Sequence, residues 1–108
     1  MIRNILVLMA FLSTSAFAGI TEYTYPQIDN AYIDTCNFSG SGQVCGRTAA
    51  WTAAHAYCDY KTGGDAVNFR SMKKENWTYV KKFSLNTREF EWHTSAWQYI
   101  FEMIMCTD

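Results

Sequence analysis

The sequence is poor in the features that usually announce chemistry. One proline and six glycines in 108 residues exclude a collagen-like or low-complexity disordered chain. No charge sign dominates: nine basic against ten acidic residues give a net charge of −1, without the basic excess of a nucleic-acid binder. There are only two histidines, and no H-x-x-x-H, H-E-x-x-H or C-x-x-C spacing, so the common zinc and redox patterns are missing. A G-x-S-x-G elbow and a phosphate-cradling glycine loop are absent too. The longest continuous apolar run, Ile5 to Leu12, has eight residues and falls well short of the ~20 that span a bilayer.

That run has a different meaning. Arg3 precedes it, and Ala16-Phe17-Ala18 follows as a small-x-small site, so residues 1–18 read as a cleaved secretory signal peptide. The expected mature chain, residues 19–108, is a single small domain that is secreted or periplasmic and makes no membrane contact after cleavage. All four cysteines, Cys36, Cys45, Cys58 and Cys106, lie in it. An even count after a signal peptide reads as two disulfides, and Cys36–Cys45 with Cys58–Cys106 is the preferred pairing of the three possible. A domain this small buries a low fraction of its surface and benefits from covalent support.

Residues 19–34, with Pro26, suggest an extended arm or edge strand, because proline cannot donate to an interior ladder. The segment between Cys36 and Cys45 reads as a flexible Gly-Ser loop closed at its ends. Residues 47–61 form the best helix. Ala49, Ala50, Ala53, Ala54, Tyr57 and Cys58 share one face, Thr48 can cap the start, and Gly63-Gly64 supplies a left-handed exit. Residues 65–72, 77–84 and 88–92 alternate as strands, with Val67 and Phe69 facing inward in the first and Lys81 breaking the pattern of the second. Residues 97–106 are apolar on both faces and fit a central strand, with a short helix as the rival. The expected fold is α+β: one Ala-rich helix packed on a small antiparallel sheet of three to five strands, stapled by two disulfides.

Several constellations invite functional readings. His55 and Asp59 are helical neighbours at i, i+4, but a solvated pair explains them as well as a catalytic one. Cys58 lies three residues from His55, which would suit a small thiol hydrolase, yet a disulfide is the stronger use of that cysteine. Glu89 and Glu91 read more simply as solvent-facing charges than as a glycosidase pair. Lys73-Lys74 and Lys81-Lys82 read as solubilising edge charges.

The aromatic content is more telling. Sixteen aromatic residues in the ninety after residue 18 exceed what a small core needs. Trp77, Tyr79, Phe90 and Trp92 are therefore candidates for an exposed binding patch, with Glu89, Glu91 and Asp59 supplying charge complementarity to a basic site. The expected function is a non-enzymatic exported protein that binds a protein partner, inhibitor-like or immunity-like. A carbohydrate-binding module using the same rings is the alternative. No cofactor and no nucleic-acid partner are implied.

Overall fold

A computed structural model describes residues 19–74, 78–95 and 98–108. The expected signal peptide, Trp77 and Trp97 lie outside the described residues. The strands are β1 (Ile20–Thr24), β2 (Gln27–Ile28), β3 (Ala31–Ser39), β4 (Gly42–Val44), β5 (Ala66–Lys74), β6 (Thr78–Ser84), β7 (Phe90–Ser95) and β8 (Gln98–Thr107), and the helix α1 spans Arg47–Thr62.

One mixed sheet follows the order β1-β8-β3-β6-β7, with β5 on β8 and with β2 and β4 on β3. The sheet is thus larger than the small antiparallel one expected. Nor is it purely antiparallel, because β3 and β6 run parallel. That pairing joins strands separated by the β4, α1 and β5 excursion, and no local sequence pattern specifies it. The expected arm also divides: residues 20–24 are an edge strand on β8, whereas Ala31 to Asp34 belong to β3 in the sheet interior. A tight turn through Asp29 (φ 53°) and Asn30 (φ 64°) joins β2 to β3, and both residue types tolerate the left-handed region. The expected flexible loop between Cys36 and Cys45 is the β3–β4 hairpin, closed by their disulfide with Cα atoms 4.4 Å apart.

The helix buries the face expected of it, Ala49, Ala50, Ala53, Ala54, Tyr57 and Cys58. Small side chains let it lie close on the sheet, against Ile28, Ile33, Phe83, Phe101 and Ile104. Its start differs from expectation. Gly46 occupies the N-cap without a side-chain bond, and Thr48 lies inside the first turn, its carbonyl accepting from Thr52 Oγ1. Its exit is left-handed at Gly63 (φ 78°), which donates to the Cys58 and Asp59 carbonyls.

Beyond that exit the chain is clasped to the end of β8. Thr62 Oγ1 donates to the Thr107 carbonyl at 2.7 Å, and Asp65 and Thr107 exchange bonds of 2.8 Å. The Cys58–Cys106 disulfide lies beside this clasp. Strand β8 is buried on both faces, through Ile100, Phe101, Met103, Ile104 and Cys106, as a central strand should be. In β5 a register shift between Ala66 and Asn68 turns Val67 outward, so Ala66 and Phe69 face the core rather than Val67 and Phe69.

Candidate functional site

The β6–β7 hairpin pairs Lys81 with Trp92 and Phe83 with Phe90. Alternation then sets Tyr79, Lys81, Phe83, Phe90 and Trp92 on one face. The face has two ends. At one end, Phe83 and Phe90 (ring centroids 5.3 Å apart) join the core beneath the helix. At the other, Tyr79 and Trp92 remain 65% and 51% exposed and meet edge-to-face at 6.1 Å. The Lys81 ammonium sits 4.4 Å from the Trp92 ring centroid and 3.1 Å from Asp29. Three of the four candidate rings are therefore brought onto one face, and the fourth, Trp77, lies outside the described residues.

A groove of about 840 Å³ opens between this hairpin and α1. Its helical wall is the stripe Thr52, His55, Ala56, Asp59 and Tyr60, spaced i, i+3, i+4, i+7, i+8. Phe83 and Phe90 contribute from the sheet, Arg88 and Glu89 from the β6–β7 turn, and Ile28 and Asp65 also line it. The turn is organised by Ser84, whose hydroxyl accepts from the Asn86 and Thr87 amides and whose carbonyl accepts from the Arg88 amide. Arg88 takes a left-handed conformation (φ 60°), with its guanidinium 5.6 Å from the Phe83 ring centroid.

The two candidate glutamates separate. Glu89 lines the groove from the turn, while Glu91 accepts from Thr87 Oγ1 at 2.9 Å and lies 4.0 Å from His93 Nε2. His55 Nδ1 accepts the Ala66 amide at 3.1 Å and so ties the helix to β5.

The lysine pattern is overturned in part. Lys81 and Lys82 are only 6% and 5% exposed, in a strand between β3 and β7, and are not edge charges. Each is held by a carboxylate from the chain around β3. Lys82 Nζ lies 3.4 Å from Asp34 Oδ2 and donates to Gln43 Oε1, while Lys81 pairs with Asp29. Asp34 is fully buried and accepts the Cys36 amide at 2.8 Å. Burial pushes its carboxyl above the ordinary value of 3.8, opposed by that amide and by Lys82. Lysines 73 and 74 do lie on β5, whose only strand partner among the described residues is β8.

Asp34 also borders a second cavity, of about 540 Å³, beside the helix N-terminus with Gln43, Arg47 and Tyr99. Sequence reasoning missed Asp34. The Lys81 break in alternation marked an unusual charge in the strand, but its partner is the exposed Asp29, so it did not point to Asp34. Cys58 has its sulfur in a disulfide, so it offers no thiolate to His55. Among the described residues, no three His, Cys, Asp or Glu side chains gather as a metal site. What the arrangement offers is a surface: a concave, partly aromatic groove continuous with an exposed pair of rings. No known protein family, characterised protein or solved structure matches the chain.

Proposed function

We propose that this is an exported, non-enzymatic protein that binds a protein partner and blocks it sterically, as an inhibitor or immunity-type protector does. The observation carrying this reading is the hairpin face, where exposed Tyr79 and Trp92 run on into the Phe83–Phe90 floor of the groove. Clustered aromatic anchors next to a concavity are the usual centre of a protein interface. Two disulfides support export into an oxidising compartment. A glycan is the weaker fit, because the Tyr79 and Trp92 rings meet at 85° and do not form one flat platform.

The test is affinity capture from the exported fraction with the wild-type protein and with Tyr79→Ala/Trp92→Ala. Stoichiometric capture of one protein, lost in the variant while both disulfides and the thermal midpoint persist, supports the reading. Equal capture by the variant moves the binding surface elsewhere. Glycan binding without a protein partner replaces the reading with the carbohydrate alternative.

A further inference from the structure

We propose that the groove between α1 and the β6–β7 hairpin receives an arginine side chain carried by an extended segment of the protein partner. The inference deepens the binding function above and rests on it. The groove carries three carboxylates, Asp59 from the helix, Asp65 from its exit and Glu89 from the hairpin turn, against one guanidinium, Arg88. None of the three carboxylates has an ion-pair or side-chain hydrogen-bond partner among the described residues. The one cation in the groove is already engaged with an aromatic face, that of Phe83.

A cation entering here meets surplus negative charge, and its stem meets an apolar lining of Ala56, Phe83 and Phe90. Arginine matches both halves of that surface. Its guanidinium forks onto carboxylates and stacks on rings, and its three methylenes pack on apolar carbon. The charges come from three separate segments and do not converge as a metal site, so they suit an elongated cation rather than a compact ion. A volume of about 840 Å³ is within the range that encloses a drug-sized ligand and exceeds one side chain, which is why a segment rather than a free amino acid is the expected occupant.

The probe is a blocked tetrapeptide, acetyl-Arg-Ala-Arg-Ala-amide, titrated into the disulfide-intact protein and followed by amide NMR shifts. Its glutamate counterpart serves as control. The expected result is saturable shifts at Ala56, Asp59 and Glu89 with the arginine peptide alone, weakened at least tenfold by Asp59→Asn/Glu89→Gln and by raised salt. Both substituted side chains are exposed, and unchanged shifts in the core alanines show that the double variant still folds. Equal binding of the glutamate peptide, no binding at millimolar peptide, or indifference to Asp59→Asn/Glu89→Gln overturns the inference. The two readings fail separately. Partner capture that survives Asp59→Asn/Glu89→Gln removes the arginine site and keeps the binding function. Groove-specific peptide binding with no captured partner keeps the site and removes that function.

Discussion

The half of the molecule built on α1, β5 and β8 and the half built on β3, β6 and β7 are held together by different means. In the first, Cys58–Cys106 bonds helix to central strand, the Thr62–Asp65–Thr107 clasp fastens the helix exit, and the alanine face packs close. In the second, the hairpin is attached through parallel pairing to β3, a backbone bond from Leu85 to the Phe38 carbonyl, and ion pairs at Lys81 and Lys82. Covalent and close apolar contacts fix the scaffold. Polar contacts, together with Phe83 and Phe90 packed beneath the helix, carry the element that displays the rings. The exposed positions of the hairpin can vary when the scaffold beneath does not depend on them.

The sharpest way to break that comparison is at the buried ion pair. Lys82→Met removes the countercharge of a fully buried carboxylate and is expected to lower stability by about 3–5 kcal/mol at neutral pH. Asp34→Asn/Lys82→Met should regain most of it, since it leaves no buried charge at that pair. The sign with pH follows from the raised Asp34 pKa. The folded protein takes up this proton at a higher pH than the unfolded chain does. The resulting stabilisation is complete below the ordinary value of 3.8 and is lost as pH rises through the folded-state pKa. Losing Lys82 raises that pKa further, so the deficit of Lys82→Met should shrink on acidification. Urea midpoints across pH for the three proteins check this. If Lys82→Met costs less than about 1 kcal/mol at neutral pH, the hairpin does not depend on its ion pair.

The disulfides sharpen the comparison, since Cys58–Cys106 lies in the first half and Cys36–Cys45 ties β3 in the second. In the chain-entropy model the Cys58–Cys106 bridge, 48 residues apart, is worth about 4 kcal/mol, and Cys36–Cys45, nine apart, roughly 2.6 kcal/mol. Denaturant unfolding of Cys58→Ala/Cys106→Ala and Cys36→Ala/Cys45→Ala should rank them in that order, and the reverse order would place the heavier staple on the β3–β4 hairpin. Smaller effects are expected at two glycines. A Cβ on Gly64 would stand 2.1 Å from the Thr107 carbonyl oxygen, so Gly64→Ala must shift backbone, at about 1–3 kcal/mol. Gly40→Ala meets only the Asn86 side chain at 3.4 Å and should cost less than about 1 kcal/mol. Thermal melts of the pair decide whether the clasp is as tight as its contacts imply.

Much of the first half was legible from residue order, and less of the second. The span of α1, its alanine face and the Gly63 exit were readable, because each depends on local periodicity or on a left-handed glycine. Residues 97–106 fitted a central strand with a short helix as rival, and Cys36–Cys45 with Cys58–Cys106 was a preference among three pairings; the structure supplies the strand and both bridges. The mate of β6 was not readable. Parallel pairing to β3 is a long-range choice without a turn signature, so Lys81 and Lys82 looked like edge charges although they are interior.

The candidate site divides in the same way. Alternation placed Phe90 and Trp92 on one strand face, and composition said that some rings had to be exposed. That Glu89 faces the helix while Glu91 turns to Thr87 and His93, and that the helix's polar stripe walls a groove, depend on how the hairpin docks. The sequence alone determined α1 and the strands β5, β6 and β7, because helix and strand periods are local properties of the chain. Only the tertiary structure decided which strands pair and which charges are buried, because a lysine can enter the interior only where a distant carboxylate arrives to meet it.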